Sequence, residues 1–178
     1  MSRPVKGVVV GLVTDVQDPE GLGRIRLQLP TLGENVESGW ARVARALAGP
    51  ELGAWFQPEI GDEALVAFQN DDIRFPVVLG YLWNGDNAPP SSEPSERILK
   101  TVSGHTLTFN DSGGDESITV EDASGFNKIV LNKDGISFET SKDFSVKANK
   151  VVVKADITMD LEAAAKLTVK GNPVHLNP

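Results

Sequence analysis

The chain has 178 residues, an apolar fraction of 40%, no cysteine and a net charge of −8. That length allows one ordinary domain or two small ones. The missing cysteines exclude a disulfide framework, a thiolate metal site and a cysteine nucleophile. Residues 1–90 carry 7 basic and 12 acidic side chains, and residues 91–178 carry 10 and 13. Neither half therefore has the basic excess that nucleic acid or an anionic membrane selects. The kind of cation changes between them: six of seven arginines lie in the first half, and nine lysines join only Arg97 in the second. Arginine suits fixed bidentate contacts, whereas lysine suits the solvated edges of a sheet.

The start, MSRPVKGVVVGLVTD, holds an apolar run that soon meets Thr14 and Asp15. It is too short and too β-branched for a signal peptide or a membrane span, so synthesis in the cytoplasm without a signal peptide is expected. Short β-type runs then recur between turn signals at residues 7–16, 24–29, 40–46, 63–68 and 76–82. Five such strands predict a small closed or half-closed barrel. The connection DPEGLGR before the second run could cradle a phosphate, but Arg26 stands where a third fingerprint glycine belongs. An alternating run follows instead of a helix, and no Gly-Lys-Ser/Thr ending is present, so a strand-connecting turn is the reading.

A turn-rich stretch, NGDNAPPSSEP, marks the boundary at residues 84–94. Brief strands are predicted beyond it at 106–110, 117–121 and 128–131. From Val151 to Val169 all ten odd positions are apolar, and upstream the alternation runs in the opposite phase. No glycine or proline occurs from Ile136 to Lys170, so no hairpin is marked there. Ordinary strands run to about ten residues, far short of this stretch. A one-sided apolar ribbon cannot cover itself, and its edges leave backbone unpaired. Three copies wound about one axis solve both problems. Their dry interior would hold Ile136, Phe138, Phe144, Val146, Val151, Val153, Ile157, Met159, Leu161, Leu167 and Val169. A single-chain solenoid would need clearer turns at a fixed repeat. Residues 160–166, DLEAAAK, carry helix propensity, but the period-2 phase running through them favours strand.

Chemical sites are thin. Ser103, His105 and Asp111 suggest a triad only on paper, because no nucleophile elbow surrounds them. His175 falls on the outward phase between Val174 and Leu176, which disfavours a three-histidine metal site. Asp62 and Glu63 are adjacent on a strand and face opposite sides, which disfavours paired glycosidase carboxylates. The rival reading is a single-stranded nucleic-acid-binding barrel, with Arg24, Arg26, Arg42 and Arg45 beside Trp40, Trp55 and Phe56. Interleaved acids weigh against it.

Two segments carry a resemblance. GVVVGLVTDVQDPEGLGRIRLQLP and SGWARVARALAGPELGAWFQPEIGDEALVAFQNDDIRFPVVLGYLWNG resemble the N-terminal OB-fold domain of the gpV/VgrG spike family of contractile phage tails and type VI-like injection machines. SGHTLTFNDSGGDESITVEDASGFNKIVLNKDGISF and the alternating repeats after it resemble that family's spike. The resemblance implies an all-β chain: an OB-fold barrel over 1–88, a linker over 89–97 and an intertwined homotrimeric β-helix over 98–178. It implies a membrane-piercing needle at a baseplate, without catalytic residues, metal or cofactor. The implied partners are two further copies, a separate hub protein, the target membrane transiently, and a PAAR-type tip docked on Val174 and Leu176. Nucleic acid is not among them. The expected location is a virion tail or a phage-tail-like injection particle, with no room for a fused lysozyme or effector domain.

Overall fold

The computed structural model describes residues 5–175. Seven strands come first: β1 Val8–Asp15, β2 Arg26–Gln28, β3 Arg42–Val43, β4 Ala48–Gly49, β5 Leu52–Gly53, β6 Glu63–Phe68 and β7 Pro76–Leu82. Five more follow: β8 Glu96–Lys100, β9 Thr106–Asn110, β10 Ser117–Glu121, β11 Lys128–Asn132 and β12 Gly135–Glu139. The only helical pieces among the described residues are 3-10 turns at Pro30–Leu32 and Gln69–Asp71.

The first sheet has the order β2-β1-β6-β7-β3. All its pairs are antiparallel except β3 with β7, which run parallel. The ring closes where Ile25 and Ala41 exchange both backbone hydrogen bonds, at 3.0 and 2.8 Å. This is the expected OB barrel. Period-2 alternation puts Ile25, Leu27 and Leu29 inside, facing Ala64, Val66, Phe68, Val13, Ala41 and Val78, all at most 7% exposed. Bulges between Val13 and Asp15 and between Leu65 and Val66 supply the curvature a closed barrel needs. Gly11 lets the strands cross closely, since a Cβ there would lie 3.1 Å from Leu29 Cδ2 and 3.2 Å from the Gln28 carbonyl oxygen. Ser38, the one polar residue buried as a whole among the described residues, accepts from Leu27 N–H at 3.0 Å and donates to the Gly39 carbonyl at 2.7 Å.

The second sheet is a meander, β12-β11-β10-β9-β8, antiparallel throughout. The turn between β10 and β11, DASGFN, is set by Asp122. That carboxylate receives the Ser124 hydroxyl, the Asn127 side-chain amide at 2.7 Å and the Asn127 backbone N–H. β8 is a strand that sequence reasoning left partly within the connecting segment. Beyond Glu139 no helix or strand forms among the described residues. The helix-prone stretch 160–166 is neither helical nor paired within the chain.

Candidate functional site

The DPEGLGR loop is an anion cradle filled from within. The Asp18 carboxylate accepts from the backbone N–H groups of Glu20, Leu22 and Arg24 at 3.0–3.2 Å. The Arg24 guanidinium completes it, with Nε donating at 3.0 Å and Nη2 at 2.7 Å. The Asp18 side chain is 2% exposed, so the chain's own carboxylate sits where a phosphate would. Gly23 has φ +69, and a Cβ there would fall 2.7 Å from Trp55 Cζ3, so only glycine admits both the turn and the indole.

These contacts depress acid pKa values. The Arg24 guanidinium, and then the loop amides, hold Asp18 well below the usual carboxylate range. Arg74 lowers Asp72 to about 2, and the Ser124 hydroxyl with Asn127 lowers Asp122 to about 2. A carboxylate with a lowered folded pKa adds stability that is complete above its unfolded value, 3.8 for Asp. That stability is lost as pH falls through the folded value. Asp18→Asn should therefore melt below the parent at pH ~7, with a gap that narrows by pH ~2 as the parent's unfolded state takes up protons. Equal gaps in thermal melts at the two pH values would refute the charged cradle.

The meander supplies a second candidate surface. Register pairs Leu99 with Leu107, Leu107 with Val120, Val120 with Ile129 and Ile129 with Phe138. It also pairs Phe109 with Ile118, Ile118 with Leu131 and Leu131 with Ile136. Opposed residues share a face, so these nine apolar side chains form one continuous surface. Arg97, opposite Phe109 and ion-paired to Asp111 at 3.2 Å, sits on its border. The other face carries mainly Thr, Ser, Asn, Glu and Lys. The apolar face lies open in the single chain: Leu99 is 53% exposed, Val120 46% and Phe138 62%. Its groove of about 820 Å³ runs on to Phe144, whose ring centroid is 6.1 Å from that of Phe138.

The residues proposed as interior from sequence divide here. Ile136 and Phe138 lie on β12 within the apolar face, and Phe144 adjoins it. Val146, Val151, Val153, Ile157, Met159, Leu161, Leu167 and Val169 line the unpaired ribbon, all exposed, Ile157 by 93%. Val174 is 45% exposed, while Leu176 lies outside the described residues. Sequence reasoning missed Leu99, Leu107, Phe109, Ile118, Val120, Ile129 and Leu131 as members of one surface. The alternation within each short strand was the available signal.

The imagined triad does not assemble. His105 Nδ1 accepts from Ala123 N–H at 3.1 Å, Asp111 pairs with Arg97, and Ser103 Oγ lies 3.2 Å from Thr101 Oγ1. Asp62 is a turn residue whose carboxylate accepts from Glu59 N–H at 2.9 Å.

Two family models account for both units. Residues 9–83 match the type VI secretion system/phage-baseplate injector OB domain. Residues 96–178 match the phage baseplate V C-terminal trimerisation domain. The chain belongs to the gpV/VgrG spike family. Its similarity to the actin cross-linking toxin VgrG1 of Vibrio cholerae is 25% identity over 93% of this chain and 17% of that protein. The type VI secretion system spike protein VgrG3 of Vibrio cholerae is 29% identical over 72% of the chain and 13% of the relative. Its counterpart VgrG2a of Pseudomonas aeruginosa is 31% identical over 56% and 12%. The chain thus spans less than a fifth of the length of these relatives. The trimerisation match begins at Glu96, the first residue of β8, so it takes in the whole meander and its open apolar face. No described helix is long and apolar enough to cross a membrane.

Proposed function

We propose that this chain is the structural central spike of a contractile injection machine or phage tail, working as a homotrimer that is driven through a target membrane. The observation that carries the reading is the ribbon beyond Glu139. Among the described residues it makes no backbone–backbone hydrogen bond within the chain, yet its apolar residues keep a period-2 alternation, on even positions to Val146 as on β12 and on odd positions from Val151. Backbone polar groups that will be covered need partners, and here only other chains can supply them. Three ribbons wound together as a β-helix pair every edge and bury the alternate side chains. In this reading the barrel spans 1–88 and the connection 89–97, whose last two residues already pair in β8. The spike takes the remainder. The barrel docks on a separate hub protein, and the far end, at Val174 and Leu176, offers three apolar pairs to a PAAR-type tip.

Force along such a needle loads many interchain hydrogen bonds at once, so failure requires their concerted rupture. Purified chain should therefore have the solution mass of three copies of 19.1 kDa. It should also migrate as a trimer in detergent gels unless boiled. A monomeric mass by light scattering would end this reading.

A further inference from the structure

A second feature of the barrel lies apart from the trimer surface. Ile25 and Ala41 point inward, so their neighbours Arg24, Arg26, Trp40 and Arg42 point out together. Arg24, Trp40 and Arg42 line a cleft of about 490 Å³ together with Leu22 and with Arg74 and Phe75 from the 69–75 loop, and Arg26 reaches its edge through its contact with Trp40. Arg26 stacks 4.8 Å from the centroid of Trp40, and Arg24 lies 6.0 Å from the same ring. Arg74 lies 5.6 Å from the ring of Phe75. This is the strand 2–3 face, flanked by the first and last barrel loops, on which OB folds hold extended ligands.

The four guanidiniums are not equivalent. Arg24 is held by Asp18 and Glu20, and Arg74 by Asp72. Among the described residues, Arg26 and Arg42 have no carboxylate at ion-pair distance, although Asp15 is the cross-strand neighbour of Arg26. Both are exposed. Two uncompensated guanidiniums, Arg26 stacked on Trp40 and Arg42 exposed beside it, stand next to aromatic and aliphatic side chains as a receptor for a planar anion.

We propose that this cleft binds a short carboxylate-bearing segment of a partner protein, with Arg42 and Arg26 taking the carboxylates and Trp40 and Phe75 the intervening apolar side chains. Carboxylate is favoured over a phosphate polymer by the surroundings. Asp18 and Glu20 pair with Arg24, Asp72 pairs with Arg74 and Asp15 is the cross-strand neighbour of Arg26, and residues 1–90 carry five more acidic than basic side chains. A few spaced charges fit between these acids, whereas a continuous phosphate backbone would run into them. The proposal goes beyond the spike reading and does not depend on trimerisation, because every residue in it lies on the barrel.

The test is fluorescence anisotropy on the full chain. The probes are a labelled short peptide of alternating Glu and Leu, and a labelled oligothymidylate of equal length. The peptide should bind and the oligothymidylate should not. Arg42→Glu and Arg26→Glu should each weaken peptide binding about ten-fold. Lys100→Glu, the same charge change on the meander, should leave it unchanged. Among the described residues neither arginine makes an in-chain ion pair, so the variants should melt like the parent. Tighter binding of the oligothymidylate would make the cleft a nucleic-acid site and overturn the proposal. Absence of peptide binding would also overturn it, as would equal effects of Arg42→Glu and Lys100→Glu.

Discussion

A chain carrying Leu107→Asp together with Val120→Asp is expected to run as a monomer, while the unaltered chain runs as a trimer. These residues are register partners in the middle of the open meander face. In the isolated chain their surroundings are already wet, Val120 being 46% exposed, so the carboxylates cost the monomer little. In a trimer each copy would bring two of them into a dry interface. Burying an unpaired carboxylate costs several kcal/mol per ion, and the penalty recurs in every copy. Thr119→Asp, one residue away on the opposite face, should leave the mass unchanged. Light scattering on the two variants decides the matter, and a trimeric double variant would show that the meander face is not the association surface.

Leu27→Ala should produce the largest purely local effect. Leu27 is fully buried in the barrel core, and removing its side chain should cost about 2–5 kcal/mol, lost transfer energy and cavity together. The barrel holds all three tryptophans, so their near-ultraviolet signal reports its melting. That transition should move to lower temperature while the trimeric mass persists, because the surfaces assigned to association begin at β8. Loss of the trimer together with the barrel would show instead that the two sheets stand or fall as one unit.

Much of the barrel was legible in the sequence because each strand sits between strong turn signals and alternates. β6 and β7 fall within the runs read at 63–68 and 76–82 with identical limits. β2 and β3 are shorter than the runs that contain them, since Ile25 and Ala41 meet only in an isolated bridge. The two-residue strands β4 and β5 carry no periodicity to read. β8 was obscured because Ile98 and Leu99 are adjacent, which breaks its alternation, and prolines precede it.

The sites were less visible for a different reason. Glycines and an arginine mark DPEGLGR as an anion-binding shape. Only the folded loop reveals that Asp18 is the anion. The meander's alternating pairs, such as Leu107 with Phe109 and Ile118 with Val120, are plain in each strand. That they share a face depends on register, which the turn lengths set and local composition does not. The ribbon's alternation is equally plain, yet on the proposed reading what it covers would lie in other chains.

That unpaired ribbon creates a hazard during synthesis. In the proposed assembly a newly made chain would offer two unpaired edges and a row of valines and leucines with Ile157, the template on which wrong partners stack. Lys154, Asp156, Asp160, Glu162 and Lys166 occupy the opposite phase from Val153, Ile157, Leu161 and Leu167. In the finished needle they would face water. Before assembly they would act as gatekeepers, because out-of-register stacking would push these charges into the apolar row. On the proposed reading, the alternation that builds the needle would also police its construction.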